Sequence, residues 1–144
     1  MKLTDLIEFM TMYETITLLH MNKPYFLKDD LLVIGYTGIY GPEYPRHNTL
    51  KYKAQLGIAT KCVNLSKAAH FKGMKTIVTT HYPPSLEERS IFQQLQPSYW
   101  LHGHAHRGGD DEDIVRKHAK ERNGPKQICI SCDYLDMIPL LLEF

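Results

Sequence analysis

The chain has 144 residues, 43% of them hydrophobic and 23% charged. That is enough apolar material for the packed core of one ordinary domain and too much for a disordered segment. Seventeen Lys and Arg against sixteen Asp and Glu leave a formal net charge of +1, which gives no nucleic-acid or membrane signal from bulk charge. Three cysteines cannot pair completely and show no disulfide-framework spacing, and Asp5, Glu8 and Glu14 interrupt any signal-peptide core or membrane span near the start. A single cytoplasmic domain over residues 1–144 is the expectation.

Leu3, Leu6, Ile7, Met10 and Tyr13 recur at helical spacing, with Asp5 and Glu8 placed to favour the helix dipole, so a short helix opens the chain. After Pro24, residues 25–27 read as a strand, Asp29 and Asp30 as a turn, and residues 31–36 as an apolar strand. Residues 37–48 carry Gly38, Gly41, Pro42 and Pro45 and predict a long loop. Asn48 caps a predicted helix whose face is Leu50, Ala54, Ile58, Cys62, Leu65 and Ala69, with Gly73 as its stop. Residues 75–80 form a β-branched strand that runs straight into His81. Ser85 and Glu88 have capping-box spacing at the head of a helix that Pro97 ends. Residues 99–102 read as a short strand, 110–122 as a charged helix, and 127–131 and 137–142 as two closing strands. Strands alternating with helices predict an α/β fold.

Two strand ends carry the chemistry. One is Thr79-Thr80-His81-Tyr82-Pro83-Pro84; the other is Leu101-His102-Gly103-His104-Ala105-His106-Arg107. Four of the eight histidines therefore fall at two neighbouring strand exits, where α/β sheets bind ligands. Imidazole is the commonest neutral metal ligand at physiological pH. Gly103 is expected to allow the tight turn that aims His104 and His106 at adjacent points, with His102 directed elsewhere. Any one histidine at a strand end is more often simply hydrogen-bonded; the ordered combination is what points to a metal site.

At His81 and at Gly103-His104-Ala105-His106 the sequence resembles the fourth and fifth ligand blocks of the calcineurin-like metallophosphoesterases. Residues 34–38, Ile-Gly-Tyr-Thr-Gly, are similar to a segment of its small bacterial-type members. The resemblance implies an α/β fold that is part of a four-layer α/β/β/α sandwich, lacking the N-terminal strands. It implies hydrolysis of a phosphate ester with two divalent ions (Mn, Zn or Fe), His81 and His104 on one ion and His106 facing the other. The closing strands would correspond to the family's final hairpin.

The family's first three blocks, Asp-x-His, Gly-Asp-x-x-Asp and Gly-Asn-His-Asp or Glu, do not precede His81; Gly-Asp occurs only at Gly109-Asp110. Two dications about 3.5 Å apart repel by about 19 kcal/mol at an effective dielectric of 20, and three neutral imidazoles cannot offset this without a bridging carboxylate. The expectation is a truncated or split phosphoesterase, inactive alone, holding at most one weak ion. It would work only with a complementing N-terminal chain. The alternatives are a non-catalytic interaction module on the same scaffold and a mononuclear three-histidine protein. Absence of the early strands predicts an exposed strand edge and apolar patch, with the strand ending at His81 lacking a neighbour and homodimerisation or partner binding relieving it.

Weaker candidates are Tyr40, Arg46, His47 and Arg107 as phosphate contacts, and Cys129 and Cys132 as a Cys-x-x-Cys pair that in a strand faces two ways. Asp110, Asp111, Glu112 and Asp113 read as the first turn of a helix rather than ligands.

Overall fold

A computed structural model describes residues 3–13, 19, 24–28, 30–39, 50–69, 74–118 and 120–144. The expected loop residues 40–48, the Asn48 cap, Gly73, Tyr40, Arg46 and His47 lie outside the described residues. Helix α1 spans Leu3–Met10, strand β1 Tyr25–Lys28, β2 Leu31–Tyr36, α2 Leu50–Ala69, β3 Lys75–Thr80, α3 Leu86–Phe92, β4 Tyr99–His102, α4 Glu112–His118 and β5 Lys126–Cys129. The fold class is mixed α/β. Five strands make one sheet in the order β1-β2-β3-β4-β5. The β1–β2 hairpin is antiparallel, and every later pairing is parallel.

The sequential order has a packing consequence. Right-handed crossovers that always step in the same direction put their helices on one face of the sheet. That face carries Leu32, Ile34, Val78 and Trp100, which pack with Ala59, Cys62 and Val63 of α2, Phe92 of α3 and Leu95 of the 3-10 turn that follows it. Trp100 and Phe92 are fully buried and meet edge to face, ring centroids 5.1 Å apart. On the opposite face Val33, Thr79, Leu101 and Ile128 are only half-buried, and the end of the chain crosses it, the Phe144 ring against Tyr99 at 5.3 Å.

Several sequence expectations need correction. The strand ending at His81 is not an edge: β3 lies at the centre, hydrogen-bonded to β2 and β4, and β1 and β5 form the edges. No strand forms over residues 137–142. Asp136 and Met137 both have positive φ, 51° and 58°, and the Met137 amide donates back to Cys132 O at 2.9 Å, so the segment turns away. Pro139 has no amide to offer a ladder. The closing hairpin is thus absent among the described residues. Met137, Ile138 and Leu141 stay exposed along that segment, and Phe26 and Leu27 on the β1 edge.

Helix α2 buries Tyr52, Ala59, Cys62, Val63 and Ser66 rather than the expected stripe. Leu50 and Leu65 face solvent, because small Ala59 and Ser66 let the helix approach the sheet while apolar residues are spread around its circumference. Helix α3 stops at Phe92, and Gln96 in the left-handed region (φ 46°) closes the 3-10 turn before Pro97. Helix α4 is shorter than the charge pattern suggests, and β5 ends at Cys129.

The capping box at α3 forms as expected, and its carboxylate does more than cap. Glu88 is fully buried. It accepts from the Ser85 amide at 2.9 Å, from the Ile39 amide at 3.1 Å and from the Tyr36 hydroxyl, tying α3 to the exit of β2. Burial pushes its carboxyl above the usual carboxylate range, against the opposing pull of these donors. Glu88→Ala would strand three donors and is expected to destabilise the fold by about 3 kcal/mol or more, measured by chemical denaturation. Because the folded chain holds the Glu88 proton more tightly than the unfolded one, this group's contribution is fullest below the ordinary glutamate range and is lost as pH rises through its raised value. The unfolding midpoint of the wild type should therefore fall relative to Glu88→Gln as pH rises above the ordinary glutamate value of about 4.3.

Candidate functional site

The parallel register aligns Tyr36, Thr80, His102 and Cys129 across the carboxyl edge of the sheet. Beyond that row the ladder overruns into the loops. The His81 amide donates to Thr37 O at 3.0 Å, the Gly103 amide to His81 O at 3.0 Å and the Ile130 amide to His102 O at 2.7 Å. The four loop starts at Thr37, His81, Gly103 and Ile130 are therefore held side by side, one residue beyond the strands.

The exit of β3 is fixed from below. Trp100 Nε1–H donates to Thr80 Oγ1 at 2.9 Å, and the Thr80 hydroxyl donates to Tyr82 O at 2.7 Å. Gly38, φ 81°, crosses close above Thr80; a Cβ there would sit 3.2 Å from the Thr80 Cβ. His81 and His104 converge on this floor. His81 Nε2 and His104 Nδ1 are 3.2 Å apart, and the Tyr82 ring meets both imidazoles edge-on with centroids 4.6 Å away.

The loop after β4 achieves this differently from the expectation. Gly103 has no positive φ, and a Cβ on it would lie an ordinary 3.6 Å from His81 O. The residue in the left-handed region is His104 itself, φ 63°. Non-glycine residues there are uncommon and cost about 1–2 kcal/mol, and such strain gathers at functional positions. Ala105 drops into a small apolar cluster with Val115, Cys129 and Tyr134, and Cys129 Sγ donates to Ala105 O at 3.6 Å. With Ala105 anchored inward, His104 and His106 project outward on either side. His102 is fully buried on the helix-covered face, and burial lowers its pKa, favouring the neutral ring.

Two carboxylates complete the geometry. Asp111, nearly buried just before α4, brings Oδ2 to 3.6 Å from His104 Nε2. Asp133 Oδ1 lies 3.2 Å from His106 Nδ1 while its Oδ2 accepts the Arg107 amide at 2.7 Å. That amide bond is the largest of the influences holding the Asp133 carboxyl below its usual range. Arg107 is turned away from any open anion position: its guanidinium donates to Asp136 Oδ1 at 2.8 Å and to Tyr134 O at 3.3 Å. Cys129 is buried at the end of β5, and Cys132 is exposed in the turn beyond it, so the pair is not carried on one strand.

Among the described residues no three His, Cys, Asp or Glu side chains gather so as to hold an ion. His81 and His104 form a pair, and His106 stands outside it with Asp133. The 3.2 Å contact is a hydrogen bond between the two rings; the same separation is close to the about 3.3 Å between two nitrogens each about 2.05 Å from a tetrahedral ion. The sequence pattern places Asp111, beside His104, at a helix start. Asp133 carries no signal in the sequence, since its segment reads as the bend between two strands.

No protein-family model, curated protein or solved structure matches the chain. No helix among the described residues is long and apolar enough to cross a membrane.

The left-handed backbone at His104 has a measurable signature. His104→Gly should be more stable than His104→Ala by about 1 kcal/mol, read from urea midpoints. Gly103→Ala should shift stability by no more than about 1 kcal/mol.

Proposed function

We propose that the chain carries the last two ligand blocks of a calcineurin-like metallophosphoesterase, in a four-layer sandwich whose remaining strands and ligands come from another polypeptide segment. The observation that supports this reading is the 3.2 Å approach of His81 Nε2 to His104 Nδ1 at the carboxyl edge of a parallel sheet. His81 and His104 would hold one divalent ion (Mn, Zn or Fe), and His106 would face a second position. Such ions supply Lewis-acid polarisation of a phosphoryl oxygen and a more acidic water.

The chain's own residues do the positioning. The Thr37, His81 and Gly103 hydrogen bonds keep the two imidazole-bearing loops in register. The Thr80 relay sets the height of Tyr82, whose ring closes one side of the histidine pair. Two protein ligands fall short of the three usual for a catalytic zinc, and the sequence holds no Asp-x-His or Gly-Asn-His block ahead of His81. The bridging carboxylate and the acid that protonates the leaving oxygen are therefore assigned to the complementing segment. A missing general acid alone slows hydrolysis by about 10²–10⁴-fold.

Calorimetric titration of zinc into the metal-free chain tests the pair. His81→Ala and His104→Ala should each weaken binding by more than about 100-fold, beyond the 10–100-fold typical of losing an outer-shell partner. Zinc affinity unchanged by both substitutions would overturn the assignment. An aryl phosphate should show no turnover with the chain alone. Turnover should appear when a segment bearing the three missing blocks is supplied, and His81→Ala should abolish it.

A further inference from the structure

We propose that Asp133 is a positioning residue for His106, holding that imidazole with its proton on Nδ1 and leaving Nε2 as the nitrogen with an open lone pair. The use of Nε2 toward a cation or phosphate ester rests on the functional reading above; the tautomer itself rests on Asp133 alone. Asp133 Oδ1 lies 3.2 Å from His106 Nδ1 and Oδ2 lies 2.7 Å from the Arg107 amide nitrogen. One carboxylate thus brackets two successive residues of the loop after β4. An ionised carboxylate only accepts hydrogen bonds, so Nδ1 must be the nitrogen that carries hydrogen. A neutral imidazole has a single N–H, which leaves Nε2 bare. An unconstrained histidine in water favours the opposite tautomer, with the proton on Nε2.

The carboxylate is itself held. The Tyr134 and Leu135 amides donate to Ser131 O at 2.9 and 3.3 Å, and the Met137 amide closes the bend onto Cys132 O. The Arg107 guanidinium then reaches back across this bend to Asp136 and to Tyr134 O. The turn over residues 132–137 therefore grips the His106-Arg107 step from several sides. Orientation of a ligating imidazole by a carboxylate on its second nitrogen is the usual outer-shell arrangement at metal sites. Here the carboxylate comes from the segment that the sequence pattern assigns to a bend between strands.

Long-range proton–nitrogen correlation spectra of the full, metal-free chain at about pH 8, above the ordinary histidine pKa, read the tautomer directly. The wild type should show His106 protonated on Nδ1. In Asp133→Ala the Nδ1–H population should fall below half while amide dispersion stays native. His106 protonated on Nε2 in the wild type, or a tautomer indifferent to Asp133→Ala, would overturn the proposal. The wild-type measurement needs no variant, so a substitution that fails to fold leaves the test intact. Zinc added to the same sample separates the two claims. If His106 carries its proton on Nδ1 but zinc perturbs neither His81 nor His104, the metal reading fails and the Asp133 role stands. If zinc perturbs His81 and His104 but His106 carries its proton on Nε2, the Asp133 role fails and the metal reading stands.

Discussion

The arrangement rests on a parallel ladder that does not stop where its strands stop. Parallel strands of equal register bring their carboxyl ends to one line, and in this chain the next backbone groups continue to pair across that line. His81 uses its amide toward the loop after β2 and its carbonyl toward the loop after β4. One residue thus spans two interfaces while presenting a side chain above them. Because buried backbone polar groups are nearly always satisfied, breaking either contact would leave a donor or acceptor unmatched at the rim of the core. The position of His81 is therefore set by the main chain, and His104 is brought to it by the same rung.

Around this rung, groups that are individually costly are gathered at one edge of the sheet. Glu88 is a buried acid, His104 has a left-handed backbone, and His102 is an imidazole sealed in the core. Each stands where loops meet the carboxyl ends of β2, β3 and β4. Glu88 links three of the chain's segments through the Tyr36 hydroxyl and the Ile39 and Ser85 amides. Unfavourable terms of this kind persist where surrounding packing over-determines them, and the Phe92–Trp100 core directly beneath provides that packing.

Much of the fold was legible because it depends on local pattern. The β-branched run of β3, the capping box at Ser85 and Glu88 and the alternation of strand and helix all declare themselves within a few residues. The approach of His81 to His104 was expected from the family resemblance, and it needs only two parallel strands to be neighbours. The centrality of β3 was missed because strand order is a long-range property, and the absent closing strand because two consecutive positive-φ residues, Asp136 and Met137, leave little trace in hydropathy. The face of α2 was misjudged because contact with a sheet selects small residues such as Ala59 and Ser66 over exposed leucines. Asp111 and Asp133 were illegible as partners of histidines, since each meets its imidazole only after the loops have folded back.

The link from Trp100 through the Thr80 hydroxyl to the Tyr82 carbonyl gives the molecule a built-in optical probe. Trp100 is the only tryptophan in the chain, its ring is shielded from solvent, and its indole N–H touches the residue immediately before His81. Emission from this single fluorophore should therefore respond to the β3 exit as well as to unfolding. A disturbance of the histidine loops can reach the indole through two short polar contacts, without any dye or label.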